Sequence, residues 1–252
     1  MQTEPGFVPL SSQPAPARRP RRLRSALKWL LWIILGFLAG SVLLVLLFRW
    51  VDPPFSAVMV QHWVDARFDG SRPSDIHHTW VAWDQIPAPV ALAVIAGEDQ
   101  RFPQHDGFDL VEMRKAWEKY QDGGRLRGAS TISQQTAKNL FLWSGRDYLR
   151  KGLEAWFTVL IETFWPKQRI MEVYLNIAQF GPDTYGVGAA SWRYLNRPIV
   201  ALSTQDAALL AAVLPNPNIY HLDAPSRYVQ RRAGWIRRQM ERLGGTGYLE
   251  RL

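Results

Sequence analysis

The residues with the clearest potential for chemistry lie between Ala93 and Gly107, where a short apolar segment leads directly into acidic, basic and aromatic side chains. Ala93–Ala96 predicts the buried end of a helix. Glu98 follows at once and is partly withdrawn from water, which raises the pKa of a carboxyl group toward that of a useful general base. A structural role is the alternative, in which Glu98 and Asp99 pair with Arg101 or cap a helix. This stretch alone leaves both roles open.

A polar stripe further along the chain is the second candidate. Ser130, Gln134 and Lys138 recur at intervals of four, so a helix over residues 130–143 places them on one face. A solvated helix face has the same spacing. Because little carboxylate balances the lysine, the stripe also suits an anionic ligand.

The elements that must position these groups are predicted to be helices. Apolar residues recur with helical spacing from Ala88 onward, and helices are predicted over residues 150–165, from Ile170 to Gly181, over 207–214 and over about 225–243. Ser203 followed by Asp206 predicts a capping box for the third of these helices. No strand signal and no internal repeat is visible, so residues 88–252 predict a mainly α domain.

A single transmembrane helix is predicted over residues 29–48. This uncharged run has 20 residues, and at about 1.5 Å per residue it spans the roughly 30 Å of a bilayer core. Residues 1–28, rich in Pro, Ser, Ala and Arg, predict a basic disordered arm, which the positive-inside rule places in the cytoplasm. A cleaved signal peptide is the alternative, but the run is longer than a signal core and no small-residue cleavage site follows it.

Residues 49–87 predict a partly ordered connector between the span and the domain, because Asp52-Pro53-Pro54 stops the helix and a mixture of Pro, Trp and His follows. His62, His77 and His78 lack nearby cysteines and regular spacing. We therefore expect solvated or packing histidines and no metal site.

The net charge of +8 does not indicate nucleic-acid binding. Six of the cations and one carboxylate lie in residues 1–28, which leaves a charge of only +3 for the rest of the chain. A basic groove across a folded face is therefore not indicated. The absence of cysteine excludes disulfides, thiolate nucleophiles and thiolate metal ligands.

Five blocks of sequence, in order over about residues 88–218, resemble the peptidoglycan glycosyltransferases. Glu98–Gly107 is similar to the family pattern EDxxFxxHxG, and Gly128–Asn139 is similar to GxSTxxQQxxKN. The three remaining blocks are Arg150–Glu154, similar to RKxxE, then Arg169–Asn176, similar to RIxExYLN, and a last block made of two segments, from Tyr185 to Ala190 and from Ala207 to Pro215.

This resemblance implies a lysozyme-like α-helical fold and polymerisation of lipid II. The 4-hydroxyl of one lipid-linked disaccharide attacks the anomeric carbon of a growing chain, with inversion and loss of undecaprenyl pyrophosphate. The wording QQTAKNLFLW is closest to the monofunctional biosynthetic transglycosylases. About 35 residues follow the last block, so no transpeptidase domain is expected.

The resemblance also implies roles for individual residues. Glu98 is the base, and Glu154, eight residues beyond Arg146 as Arg146 is beyond Lys138, orients the substrate or the donor pyrophosphate. The pyrophosphate and sugar site is expected to comprise Ser130, Gln134, Lys138, Arg146, Arg150 and Lys151. The expected supports of the Glu98 loop are Asp99, Phe102 and His105, although Asp99 or His105 equally suits a substrate contact.

No cofactor is expected to be obligatory, and Mg²⁺ or another divalent cation is a candidate stimulator at the pyrophosphate. The expected partners are lipid II, the growing lipid-linked glycan and the membrane, with cell-wall synthesis or division proteins as further candidates. The expected location is the bacterial inner membrane, with one span, a cytoplasmic N-terminus and a periplasmic catalytic domain.

The sequence allows more than one interpretation for two of the helices and for the function. Residues 108–124 predict either a mobile jaw that dips into the membrane interface or a plain amphipathic surface helix. The basic helix near the C-terminus either touches anionic lipid or packs on the core with a solvated face. A lytic enzyme that cleaves glycan and a non-catalytic membrane-anchored binding module are the competing functions.

Overall fold

The structure, a computed structural model, describes residues 21–68, 75–124, 130–145 and 147–252. The chain divides into two compact units, one ending at Val42 and the other covering Leu43–Leu252. Helix α1, Arg21–Phe48, belongs partly to each unit. The second unit holds every other element described below.

Helix α1 contains the predicted span. Its segment Ser25–Phe48 has 24 residues and a mean hydropathy of 2.8, and in the described part of the chain it is the one helix long and apolar enough to cross a membrane. The helix begins at Arg21, so residues 21–28 are helical where a disordered arm was predicted. The rest of that arm, residues 1–20, lies outside the described residues.

The second unit is almost entirely helical, as predicted. Its helices are α2 (Ala57–Phe68), α3 (Ala88–Glu98), α4 (Leu110–Gln121), α5 (Ile132–Phe141), α6 (Tyr148–Phe164), α7 (Lys167–Ile177), α8 (Val187–Leu195), α9 (Thr204–Val213) and α10 (Arg227–Arg242). Two very short strands, β1 (His77–His78) and β2 (Thr184–Tyr185), pair in parallel. The expectation of a mainly α fold is confirmed, and the single strand pair is too short to leave a periodic signal.

The core is centred on α3, whose residues 90–96 are all buried. No polar side chain interrupts this run, so the helix is apolar on every face and needs neighbours all round. Helices α9 and α10 pack directly against it. As a result, the residue that follows the buried run, Glu98, is held at the wall of the domain.

The connector predicted over residues 49–87 is part of the folded unit. It contains α2 and β1, and the buried His62 of α2 shares a hydrogen bond of 2.9 Å between its Nδ1 and the hydroxyl of Tyr185. Nearer the span, Arg169 of α7 binds the carbonyl oxygens of Phe48 and Val51. Elements of the predicted connector are therefore packed against the domain that was predicted to begin at residue 88.

The histidines of this segment pack within the protein, which was one of the two expected roles. His78 lies 3.1 Å from the carbonyl oxygen of Asn176 through its Nε2, and burial lowers its pKa below the ordinary value of 6.5. His77 lies 3.7 Å from Asp183, with 43% of its side chain exposed.

Two helix ends depart from the prediction, and one predicted cap is confirmed. Helix α5 begins at Ile132 and not at 130, because Thr131 and Gln134 form a capping box. Helix α7 ends at Ile177, four residues before the Gly181-Pro182 pair that was expected to end it. The capping box of Ser203 with Asp206 at the start of α9 is confirmed.

Asn176, the last residue of the RIxExYLN block, fastens the former connector to α7. Its side chain accepts a hydrogen bond from the Val81 amide at 2.8 Å and donates one to the Val81 carbonyl at 2.8 Å. Asn176 is fully buried, so both backbone groups of Val81 depend on this one amide.

We expect Asn176→Ala to lower the free energy of unfolding by about 2–4 kcal/mol, because two buried backbone groups lose their partner at about 1–3 kcal/mol each. Denaturant unfolding of the detergent-solubilised protein measures it. Asn218→Ala, at an exposed asparagine, is the matched control and should change stability little. Equal stability of the two variants would contradict the assignment.

Candidate active site

An open cleft of about 1030 Å³ lies at the C-terminal end of α3. Its wall is formed by the end of α3, one face of α4, the start of α5, the residues after α9 and part of α10. The polar side chains that line it and matter below are Glu98, Asp99, Ser130, Gln135, Lys138 and Arg232.

Glu98 stands between two donors. Its Oε2 accepts a hydrogen bond from the Gln135 side chain at 3.1 Å, and its Oε1 accepts one from the Arg232 guanidinium at 3.3 Å. Gln135 is oriented in turn by the Tyr174 hydroxyl, which donates to its amide oxygen at 3.2 Å. Only 12% of the Glu98 side chain is exposed.

Burial raises the pKa of Glu98 above its ordinary value of 4.5, which is the direction expected from the sequence. The hydrogen bond from Gln135 and the charge and hydrogen bond of Arg232 oppose this rise, and the neighbouring Asp99 adds to it. Burial also raises the pKa of Tyr174 well above 10.0, so its hydroxyl remains a donor. Glu98 is therefore a partly shielded carboxylate with the properties of a general base.

Asp99 connects the Glu98 loop to α5. Both of its carboxylate oxygens lie within 3.1 Å of the His105 Nε2, and Oδ2 also accepts the backbone N–H of Ile132 at 3.0 Å. Ile132 is the first residue of α5, where a negative charge is favoured by the helix dipole. These contacts are those of a supporting residue.

The rest of the loop is anchored on α6 and α7. Phe102 is fully buried, and the ammonium of Lys167 lies 4.6 Å from the centre of its ring while also donating to the His105 carbonyl. Gly107 has a φ of +88°, and a Cβ there would lie 2.6 Å from the Thr158 methyl. Only glycine fits this position, which explains the last residue of the block.

Lys138 is a half-buried cation of the cleft that lacks a partner among the described residues. Among the described residues it has no hydrogen bond and no ion pair, although it is half-buried in the wall. Burial lowers its pKa below 10.5, the charge of Glu154 opposes this, and Arg150 and Lys151 lower it further. An unpaired, partly desolvated ammonium is suited to an anionic group.

Glu154 does not face the cleft as a free carboxylate. It is buried and paired, with Arg150 Nη1 at 2.9 Å from one oxygen and the Lys151 ammonium in contact with the other. Half of the Lys151 side chain remains exposed, whereas Arg150 is buried. Glu154 thus pairs with two cations whose charges act on Lys138, and its expected role toward the substrate stays a prediction.

The predicted polar stripe of Ser130, Gln134 and Lys138 is not one face of a helix. Ser130 precedes α5 and is exposed at the cleft, while Gln134 is buried and its amide oxygen accepts the Thr131 backbone N–H. The amide oxygen of Gln134 is used by the capping box, and a substrate contact of Gln134 stays a prediction. The remaining predicted cation, Arg146, lies outside the described residues.

Two groups at Glu98 were not predicted, Gln135 and Arg232. The capping signal Thr131-x-x-Gln134 could have assigned Gln134 to the helix start, which leaves Gln135 three residues before Lys138 on the cleft face. Arg232 follows Glu98 by 134 residues, and no local pattern relates the two.

One group of potential metal ligands is present in the described part of the chain. The ligand atoms of Asp99, His105 and Asp109 lie within 4.8 Å of one another. All three already have protein partners: Asp99 binds His105, and Asp109 caps α4 and lies 3.2 Å from Arg101. The carboxylates of Asp99 and Asp109 already accept hydrogen bonds from backbone N–H groups, and the Arg101 guanidinium lies close by, so this is a poor site for a cation.

Helix α4 forms the rim of the cleft and has no buried residue. Its cleft side carries Glu112, Lys115 and Lys119, and its apolar residues Met113 and Trp117 are exposed. The helix therefore has the surface of both alternatives stated above, and insertion into a membrane stays a prediction.

A mainly α domain whose cleft combines a buried carboxylate with neighbouring cations has the arrangement of a group-transfer enzyme. A sequence model of the family described as Transglycosylase matches residues 66–241. The chain therefore belongs to the transglycosylase family, and the recognition made from its five sequence blocks is confirmed.

The curated relatives match nine-tenths or more of the chain. A biosynthetic peptidoglycan transglycosylase of Xanthomonas axonopodis pv. citri is 52% identical over 234 residues, which cover 93% of this chain and 95% of the relative. Proteins of the same description from Pseudomonas fluorescens Pf-5 and Pf0-1 are 54% and 55% identical, over 92% and 90% of this chain and 93% and 92% of their own. The protein is thus a peptidoglycan glycosyltransferase.

The burial of Glu98 predicts that the stability of the folded protein depends on pH. Because the folded pKa lies above the ordinary 4.5, stability falls as pH rises through the window between the two values and stays lower above it. Glu98→Gln should therefore raise the melting temperature at neutral pH, and this gain should vanish below pH 4.5.

Melting temperatures measured by circular dichroism in detergent test this. Asp99→Asn is the contrasting variant, because it weakens the contacts with His105 and Ile132 and should cost about 1–3 kcal/mol. A Glu98→Gln variant that is less stable than the parent at neutral pH would mean that the donors outweigh the burial.

Proposed function

We propose that this protein polymerises peptidoglycan glycan chains from lipid II by inverting glycosyl transfer, with release of undecaprenyl pyrophosphate. The observation that carries the proposal is the placement of Glu98 and Lys138 in one cleft: a shielded carboxylate with a raised pKa beside an ammonium without a partner. Membership of the transglycosylase family supplies the substrate class.

Glu98 would act as the base. A sugar hydroxyl is a poor nucleophile near neutral pH, so a carboxylate within hydrogen-bond reach must remove its proton as the new bond forms. Glu98 lies at the cleft wall with both oxygens oriented by donors. The 4-hydroxyl of the acceptor disaccharide would attack the anomeric carbon from the face opposite the leaving group, which gives inversion.

The leaving group calls for cations. A pyrophosphate develops negative charge as the glycosidic bond breaks, and charged donors aimed at that position stabilise the transition state. Lys138 is a half-buried ammonium without a partner in the described residues, and the charges of Arg150 and Lys151, both paired with Glu154, act on it. We assign this cluster, together with Ser130 and Arg146, to the donor pyrophosphate.

The substrate explains the anchor. Polyprenyl chains hold both substrates in the bilayer, and tethering the enzyme there raises their effective concentration. We propose a single span in the inner membrane, with the basic N-terminus in the cytoplasm and residues 49–252 on the periplasmic side. Lipid II and the growing glycan are the proposed partners, and proteins of wall synthesis or division are further candidates.

We further propose that the protein lacks transpeptidase activity. Supporting this, the relatives described as biosynthetic peptidoglycan transglycosylases match the chain over 95% and 93% of their own lengths.

Glu98→Gln should abolish polymerisation, because the amide cannot accept the hydroxyl proton, with a loss of at least about 10²-fold. Purified full-length protein is incubated with lipid II in detergent and the products are separated on a gel. Glu118→Gln, at an exposed carboxylate of α4, is the control. Near-normal polymerisation by Glu98→Gln would refute the proposal.

The same assay separates the competing functions. A lytic enzyme would degrade finished peptidoglycan and would not need the cationic cluster, and a binding module would retain lipid II without turnover. Polymer formation by the parent protein excludes the binding module, and resistance of finished glycan excludes the lytic enzyme.

We expect the reaction to need no metal ion, because the cations that face the pyrophosphate are side chains. Addition of EDTA should lower the rate at most a few-fold, and Mg²⁺ should restore or stimulate it. The measurement is the initial rate of lipid II consumption. Complete loss in EDTA with full recovery in Mg²⁺ would show an obligatory ion.

A further inference from the structure

Arg232 is the arginine of α10 that turns away from solvent. The neighbouring arginines at positions 231, 237, 238 and 242 are exposed, whereas 21% of the Arg232 side chain is exposed. Its position on the helix explains this. Val229 and Ile236, three residues before and four after, are fully buried on the face that packs against the core.

The backbone of α3 lets α10 come close to Glu98. A Cβ at Gly97 would lie 3.2 Å from the Ile236 Cδ1, so α10 packs closely on this glycine and a larger residue would have to displace the Ile236 side chain. Arg232, one turn before Ile236, then reaches the end of α3. Its Nη2 donates to the Gly97 carbonyl and to Glu98 Oε1, both at 3.3 Å.

Both contacts suit a guanidinium. The last carbonyls of a helix carry partial negative charge, so a cation at the end of α3 is favoured. The Gly97 contact fixes the guanidinium on the backbone, and the Glu98 contact then fixes one carboxylate oxygen. Gln135 holds the other oxygen from the opposite side.

We propose that Arg232 is a positioning residue for glycosyl transfer, which fixes the Glu98 carboxylate and keeps it ionised so that it can take the proton of the sugar hydroxyl. This inference rests on the proposed function, since it assumes that Glu98 is the base. It gives the basic helix α10 a role in the active site in addition to packing on the core.

The charge balance at Glu98 makes the role measurable. Burial raises the pKa of Glu98, and Arg232 opposes that rise by its charge and by its hydrogen bond. The other titratable groups that face Glu98 are Asp99, which adds to the rise, and Lys138 and Tyr174, whose own pKa values respond to the Glu98 charge. Loss of the Arg232 guanidinium should therefore raise the pKa of Glu98 further, because burial and Asp99 are then less strongly opposed.

The test compares Arg232→Gln with Arg232→Lys in the full-length protein, using the rate of lipid II polymerisation against pH. Arg232→Gln should lower kcat at neutral pH by about tenfold or more with little change in KM. Its acidic limb should move up by about one pH unit, as expected for loss of an opposite charge near a carboxylate. Arg232→Lys should restore most of the limb position, because the charge is kept.

Arg238→Ala removes an exposed cation from the same helix and should leave rate and pH profile unchanged. If Arg232→Gln is folded by circular dichroism and keeps the parental acidic limb, the inference is overturned, whatever its activity. If Arg232→Gln does not fold, the test rests on Arg232→Lys. A parental rate and a parental acidic limb of its pH–rate profile would support the positioning role of Arg232. A displaced acidic limb would oppose it. Activity of Glu98→Gln would instead refute the proposed function.

Discussion

The Asp99 carboxylate is the interaction on which the site depends. It binds His105 within its own loop and the Ile132 amide at the start of α5, so one side chain sets the distance between the two segments that carry Glu98 and Lys138. Charge on a helix N-terminus and a charged hydrogen bond to histidine are both stronger than neutral contacts. Without this joint, the base and the cations would belong to independent loops.

The charged groups around Asp99 are all at least partly buried, but they differ in how many hydrogen-bond or ion-pair partners they have. Glu98 has donors on both oxygens, and Glu154 has two cations, whereas Lys138 has no partner in the described residues. Burial makes each charge expensive, and the fold offsets that cost for the carboxylates. The ammonium without a partner is the place where a bound anion would supply the missing interaction.

Much of this arrangement followed from short-range patterns. The apolar runs predicted the helices, Ser203 with Asp206 predicted a helix start, and the small apolar segment before Glu98 predicted both its burial and the direction of its pKa. The failures were also local. The i, i+4 spacing of Ser130, Gln134 and Lys138 ignored the Thr131 cap, and the Pro-rich composition after the span concealed α2, whose packing partners are far away in the chain.

The sequence by itself determined the helical class, the apolar span and the family, and it selected Glu98 as the candidate base, because these depend on composition, periodicity and motifs within short stretches. Tertiary structure alone decided which donors hold Glu98. The capping signal separates Gln134 from Gln135, but only the packing of α5 against α3 brings Gln135 to Glu98, and only the packing of α10 brings Arg232 there. Contacts between residues 134 positions apart are set by packing, which no local pattern contains.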